Sequence, residues 1–341
     1  MKAIILKDFG LPSQLVLRDL ASPEVPANNV LIEIQASGIC HHDILHRQGR
    51  LPHARKGVVL GHEASGIVRQ VGNKVTNRRV GDRVVIYQRR FCGQCPSCLA
   101  GRHDLCKLLG SPAVDTEGSY AEFISVPAVS SVLLPENISF RDAALASCPI
   151  ATSLRAINLS GLKAGETVLI NGASGGLGSH QILLAKAFGA TVFAVTRDPN
   201  KAEFLAALGA DEVIVSPENQ YASQVWKLTQ KQGVNIALDN TAVSLPETLR
   251  GMTQGGRVIL LGNINPNDIN ISPGLLIGRR LTLQGSGSAT LAEVGQSLAL
   301  ISRGIIKPII HQVMEFNDVS KAHELLETSD ITGRIVLEGW K

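Results

Sequence analysis

The segment VLINGASGGLGSHQILLAKAFGA, beginning at Val168, constrains the fold more than any other stretch of the chain. It reads as a strand, a glycine-rich turn and an amphipathic helix, and a second strand, TVFAV at 191–195, follows. Gly172, Gly175, Gly176 and Gly178, with Ser174 and Leu177 in the same turn, let the backbone approach a pyrophosphate at a helix N-terminus. There, free amides and the helix dipole favour negative charge. A glycine-rich turn alone is a weak signal; placed between a strand and a helix it becomes a strong one. The rhythm continues with EVIV at 212–215, NIALD at 235–239, RVILL at 257–261 and RLTLQ at 280–284. Six strands with intervening helices predict a doubly wound parallel sheet over 150–286.

Residues 1–149 read differently. Short β-type runs such as VLIEI at 30–34, GIVRQVG at 66–72 and DRVVIY at 82–87 are separated by Gly and Pro. This predicts a partly open β-barrel. After Gly285 come a helical stretch, LAEVGQSLALISRG, and short strands ending in GRIVLEGW, which no longer look like βα units. Residues 287–341 therefore return to the first domain, and the sheet domain is an insertion. With 341 residues and 44% apolar content, the chain is long enough for two cores. Its 33 Lys plus Arg against 29 Asp plus Glu, a net of +4 spread without a basic block, give no argument for nucleic acid or a membrane surface. No apolar run reaches the roughly 18 to 20 residues of a spanning helix. The opening MKAIILKDFG is too short in apolar residues for a signal peptide, so a cytoplasmic location is expected.

Four of the six cysteines crowd into CGQCPSCLAGRHDLC, as Cys92, Cys95, Cys98 and Cys106. Two-residue gaps turn consecutive thiolates onto one small ion, and the longer gap closes a tetrahedron. A four-thiolate site has no open position, so a structural zinc is expected there, and chemistry must lie elsewhere. An iron–sulfur cluster or redox disulfides also use closely spaced cysteines. A second zinc-type constellation in the same chain weighs toward zinc. Cys40, His62 and Cys148 would supply two thiolates and one imidazole, a known arrangement for a catalytic zinc with an exchangeable fourth position. Glu63 can approach the ion from the side opposite substrate, and Asp43 can fix which His62 nitrogen faces it. Each residue also has a plain reading, Cys148 as a small buried hydrophobe and His62 as a satisfied core histidine. The backbone freedom of Gly61, Gly66 and Gly72 around the His-Glu pair tips the balance toward metal.

GHE-x2-G-x5-G-x2-V, here Gly61 to Val75, is similar to the zinc signature of the medium-chain dehydrogenase/reductase (alcohol dehydrogenase) family. Cys40, the four-cysteine lobe, Cys148 within ASCPIAT and the dinucleotide motif fall in that family's order, so the resemblance spans the chain. It implies a GroES-like catalytic domain, an inserted Rossmann domain, zinc at Cys40, His62 and Cys148, and a homo-oligomer, dimer or tetramer. It also implies that Thr152 lies near the nicotinamide, that Gly262, Asn263 and Ile264 flank its carboxamide, and that Arg334 approaches the pyrophosphate. One position departs: His42 stands where alcohol-oxidising members carry the Ser or Thr that takes the substrate proton. An imidazole can accept that proton near neutral pH. His46, one helical turn on, reads as a solvated surface histidine.

At the end of the second Rossmann strand, where an acidic residue would bind the ribose hydroxyls of NAD, the chain reads AVTRDPNK. Thr196 replaces the acid, and Arg197 with Lys201 can neutralise a 2′-phosphate, so NADP(H) is preferred. Asp198 keeps NAD(H) possible. The expected activity is hydride transfer between NADP(H) and a small alcohol or carbonyl substrate. The alternative is NADPH-dependent reduction of an activated carbon–carbon double bond, as in acryloyl-CoA or an enone, which the GASGGLG turn and His42 favour. A non-enzymatic zinc protein that keeps the fold is a third reading, opposed by the complete ligand set.

Overall fold

The computed structural model describes residues 1–107, 110, 117–265, 268–328 and 330–340. Its compact units are Met1–Ala151 with Ser288–Lys341, and Thr152–Gly287.

In the first unit β1 (Lys2–Leu6) and β2 (Leu15–Asp19) form an antiparallel pair. The larger sheet is built on β3 (Asn29–Gly38), β4 (Glu63–Val71), β5 (Arg83–Ile86), β6 (Phe123–Pro127) and β7 (Ser131–Leu133), and is completed by strands from the C-terminal segment. β3 pairs antiparallel with both β4 and β6, and β4 carries β5 and β7 beyond it. The alternating runs predicted a half-buried barrel wall, and alternate residues of β3 and β6 do face one core with Ile4, Val84, Tyr120 and Phe316. A second core, with Tyr87, Phe91, Cys98 and Val294, lies under the cysteine lobe.

In the second unit β8 (Thr167–Asn171), β9 (Thr191–Thr196), β10 (Glu212–Val215), β11 (Val234–Asp239), β12 (Met252–Leu260) and β13 (Thr282–Gly285) form one parallel sheet. Its order is β10-β9-β8-β11-β12-β13, a doubly wound arrangement that reverses direction between β8 and β11. Each of the six strands lies on the apolar run that predicted it. The near-continuous burial of β8 and β11 is what helices on both faces of a parallel sheet require. Returning to the first unit, β14 (Ile310–Met314) and β15 (Arg334–Glu338) extend its sheet, with β15 antiparallel to β3. No helix among the described residues is long and apolar enough to cross a membrane.

Candidate metal centres and dinucleotide site

The cysteine lobe is held by one helical turn, Pro96–Leu99, with Cys95 as its N-cap and Pro96 at the first position, where proline suits the helix start. Cys95 and Cys98 are three residues apart and so face the same side. The Sγ separations are 3.5 Å for Cys95–Cys98, 3.7 Å for Cys106–Cys92, and 4.0 Å for Cys92–Cys98 and Cys95–Cys106. A tetrahedron of thiolates about 2.3 Å from zinc has edges of about 3.8 Å. These four edges lie within about 0.3 Å of that value, and all four sulfurs lie within 4.8 Å of one another, a spacing that suits zinc. The Cys92 amide also points at Cys106 Sγ, at 3.4 Å.

The second centre is assembled from three elements. Cys40 is the N-cap of the helix His41–Arg47, and its amide donates to Asp43 Oδ2 at 3.0 Å, closing a capping box. His62 and Glu63 lead into β4, preceded by Gly61, whose φ of +92° few other residues adopt. Cys148 lies in a π turn, Ala146–Ile150, that includes Pro149 and runs directly into the helix Ala151–Ser160. Such wide turns often mark functional sites in helices. Ligand atoms of Cys40, His62, Glu63 and Cys148 all lie within 4.8 Å of one another.

Arg334 does not point into solvent: it is buried, and its Nη2 donates to Glu63 Oε1 at 2.9 Å, with Cys40 Sγ at 3.4 Å and Cys148 Sγ at 3.9 Å. Its place in this unit is thus among the metal-centre residues. The guanidinium offsets the Glu63 charge, leaving two thiolates to balance a divalent cation. Burial pushes the Glu63 carboxyl up to about 7 against the pull of Arg334. Glu63 Oε2 is buried with no hydrogen-bond partner among the described residues. Two sulfurs, one imidazole and this spare carboxylate oxygen fit a zinc ion. Gly38 makes the Glu63 position possible, because a Cβ there would come within 2.3 Å of Oε2.

Behind the ligands, His62 Nδ1 donates to Asp43 Oδ1 at 3.1 Å, leaving Nε2 for the metal. Burial works against the Asp43 carboxylate, but the His62 ring outweighs it and holds the carboxyl below its ordinary value. His42 is exposed, its ring edge-on to that of His62 with centroids 5.5 Å apart. His46 corrects the expectation of a surface histidine. It is buried, and its Nε2 accepts from the Arg55 amide at 3.0 Å, a structural tie between the helix and the following loop. Backbone freedom does not explain all three glycines of the motif: among Gly61, Gly66 and Gly72 the positive φ belongs to Gly61 alone. Gly66 and Gly72 are required instead by close approach, since a Cβ would meet Glu33 O at 2.0 Å and Pro26 O at 2.3 Å. Tyr120 and His323, buried near Asp43, were absent from the sequence reading. No spacing rule reaches them, and their signal is only that a polar aromatic rarely stays buried without a task.

In the second unit, Gly172, directly after β8, has φ +57°, and the helix Gly176–Ala187 starts after its N-cap, Gly175. A Cβ on Gly178 would lie 2.5 Å from both Ala173 Cα and Gly172 O, so this glycine lets the helix sit against the turn. Ser174 and Leu177 are half-buried in the same turn. The first-turn amides of this helix lack intrahelical partners and suit an anion. Thr196 ends β9 buried, and its Oγ1 accepts from the Asp198 amide at 3.2 Å. Asp198 Oδ1 accepts from the Asn200 amide at 2.9 Å and caps the turn Pro199–Lys201. Arg197 is exposed and Lys201 buried. Thr152 is buried in its helix; Asn263 is exposed, and Ile264 donates its amide to Thr241 O at 3.3 Å. Gly262 lies so close to the end of β11 that a Cβ would be 2.0 Å from Asn240 O.

A barrel unit carrying two cation-ready sulfur sites, and a doubly wound unit with a glycine-lined helix start, define a two-domain, dinucleotide-dependent oxidoreductase. The sequence model of the alcohol dehydrogenase GroES-like domain matches residues 26–136, and that of the zinc-binding dehydrogenase matches residues 176–303. An alcohol dehydrogenase of Geobacillus stearothermophilus is 32% identical over 343 residues, covering 99% of each chain. An acryloyl-coenzyme A reductase of Metallosphaera sedula is 30% identical over 339 residues, again 99% of each. Among solved structures, an NAD-dependent alcohol dehydrogenase superposes with a TM-score of 0.92 at 29% identity over 100% of both chains. AibC superposes with 0.92 at 36% identity over 100% of this chain and 96% of its own. The chain belongs to the zinc-containing medium-chain dehydrogenase/reductase (alcohol dehydrogenase) family.

Proposed function

We propose that the protein transfers a hydride reversibly between NADP(H) and a small alcohol or its carbonyl, with one zinc at Cys40, His62 and Cys148 and a second, structural zinc in the cysteine lobe. The observation that carries this is the convergence of Cys40, His62, Glu63 and Cys148 within 4.8 Å, with Arg334 balancing the charge. When bound there, zinc supplies a Lewis acid that lowers the pKa of a hydroxyl or polarises a carbonyl. His42, exposed beside His62, accepts the hydroxyl proton in oxidation and returns it in reduction. Asp43 holds the His62 ring in the tautomer that presents Nε2. The glycine turn 172–178 and the following helix hold the pyrophosphate, while Arg197 and Lys201 receive the 2′-phosphate. Asp198 is committed to capping its own turn, which supports the phosphate-accepting reading over ribose binding. Thr152, Gly262, Asn263 and Ile264 are assigned to the nicotinamide end, and Arg334, besides its place on Glu63, to the pyrophosphate. The barrel domain is assigned to 1–149 and 287–341, the Rossmann domain to 150–286. The protein is placed in the cytoplasm as a dimer or tetramer.

His42 in place of a hydroxyl, together with the acryloyl-coenzyme A reductase relative, favours a second reading: reduction of an activated double bond. A panel of primary alcohols, aldehydes and acryloyl-type thioesters, assayed with NADPH and with NADH on zinc-loaded protein, separates the two. Turnover of alcohols and aldehydes with the better specificity constant for NADPH is expected. Turnover of thioesters alone would replace the first reading by the second.

A further inference from the structure

His62 is only the near end of a longer buried chain of side chains. Arg47 Nε donates to His323 Nδ1 at 3.3 Å, which fixes that nitrogen as an acceptor and leaves the proton on Nε2. Nε2 faces Tyr120 Oη at 3.4 Å, and the phenol donates in turn to Asp43 Oδ2 at 3.0 Å. Asp43 Oδ1 receives the His62 Nδ1 proton. Every hydrogen bond in the series therefore runs in one direction, from Arg47 to Asp43, and meets the opposing donor of His62 at the carboxylate. The far end is anchored as well: Arg47 donates to Gly10 O and Glu327 Oε1, and Gln48 Nε2 reaches the same Glu327 oxygen at 2.7 Å. Arg47, Tyr120 and His323 are fully buried.

We propose that His323 and Tyr120 are positioning residues for the metal centre, locking the Asp43 carboxylate so that the His62 ring presents Nε2 to zinc in one fixed orientation. A proton relay is the competing use of such a chain, but its far end is a guanidinium, which offers donors and no acceptor. A plain packing role does not account for the alignment of donors, nor for the choice of three polar side chains at buried sites that apolar ones could fill. Burial pushes the His323 ring down to about 4 and the Tyr120 phenol up, so both stay neutral and keep these donor and acceptor roles. Gly61 belongs to the same device. A Cβ there would come within 2.6 Å of the Tyr120 ring, so the glycine of the GHE motif makes room for the phenol behind the histidine it precedes.

The inference rests on zinc being held at Cys40, His62 and Cys148, and the test separates the two. Zinc release to a chromophoric chelator is followed for the wild type and for Tyr120→Phe, His323→Leu and His323→Gln, with the visible spectrum of the cobalt-substituted catalytic site as a second readout. The expected wild-type result is two zincs leaving in two phases. Tyr120→Phe and His323→Leu are expected to speed the catalytic-site phase about ten-fold, as loss of an outer partner to a metal-bound histidine does, and to shift the cobalt bands, while the lobe zinc leaves at its wild-type rate. The amide of His323→Gln can still donate to Tyr120 and is expected to restore most of the retention. The double variant Tyr120→Phe/His323→Leu is expected to match either single one. Two wild-type zincs with unchanged release in both single variants would overturn the positioning role alone. Equal acceleration at both zincs would reduce it to general destabilisation, and a single zinc in the wild type would remove the metal reading beneath it.

Discussion

Thr196 is the side chain on which the proposed cofactor preference turns. Because its hydroxyl is bonded to the Asp198 backbone and Asp198 caps the next turn, no carboxylate is committed to ribose oxygens at the end of β9. Thr196→Asp places an acid there, which would accept from ribose hydroxyls and repel a 2′-phosphate. The specificity constant for NADH over NADPH should rise at least ten-fold, read from initial rates with both cofactors; Arg197→Ala should move it the same way by less. His323 gives a second prediction at this scale, a pH dependence of stability. Its folded pKa is depressed to about 4 by burial, with the Asp43 charge opposing, while an unfolded histidine titrates near 6.5. Between these values the unfolded chain binds the extra proton, so stability from this residue is full above about 6.5 and falls as pH drops toward 4. Going from pH 7 to pH 5 should cost the wild type about 2 kcal/mol through this one group. His323→Gln has nothing to titrate there. The denaturant midpoints of the two proteins should therefore converge as pH falls, and parallel midpoints would show that His323 is protonated in the fold.

Elements bound each of these sites, and they were unequally visible in the sequence. Every strand of the parallel sheet was legible, because burial on both faces forces an apolar run with helical stretches between, a pattern little else produces. The cysteine lobe was legible for a different reason: its ligands are local, so spacing alone encodes the geometry. Cys40 and Cys148 are distant in sequence, and their reading leaned on His62 and on the family resemblance as well as on residue type. Tyr120 and His323 come together across some two hundred residues, and no local rule can pair them. His46 misled because a helical position two turns into HHDILHR has no sequence mark of burial, and only the fold of 50–57 back onto it supplies its partner. The glycine turn reads in the sequence as a phosphate cradle, and in the structure Gly178 does more than free the backbone. With backbone atoms of Gly172 and Ala173 2.5 Å from any added Cβ, Gly178→Ala cannot be absorbed by a side-chain shift. Overpacking of this kind costs about 1–3 kcal/mol, and the strain falls on the amides to which the pyrophosphate is assigned. Fluorescence titration should show weaker NADPH binding together with a lowered melting temperature. Unchanged binding in a destabilised variant would place the glycine in packing alone.

At the scale of the whole molecule, the parallel sheet ends in an exposed edge. β13 pairs with β12 on one side, and among the described residues no strand covers the other. An open edge of unpaired amides and carbonyls invites another strand unless charge, proline or a bulge blunts it. The edge of β13, TLQG, has none of these devices, and three of its four residues are exposed. The neighbouring helix Pro273–Arg279 carries Leu275, Leu276 and Ile277, yet none of its residues is fully buried, and Ile277 is 77% exposed. Leu275 and Leu276 pack partly against the core of the unit, whereas Ile277 stays exposed beside an unpaired strand, a combination with the composition of an interface. The operator that pairs a strand with its own copy is a two-fold axis, which makes the two strands antiparallel and the contact isologous. The protein should therefore sediment as a dimer, or as a tetramer if a second contact is present, across micromolar loading. Ile277→Asp should shift it toward single chains. Since the side chain is already exposed, the substitution should leave the far-ultraviolet spectrum and the zinc content of the isolated chain unchanged. Single chains in the wild type, or an Ile277→Asp variant that keeps the full assembly, would show that this edge is not where the copies meet.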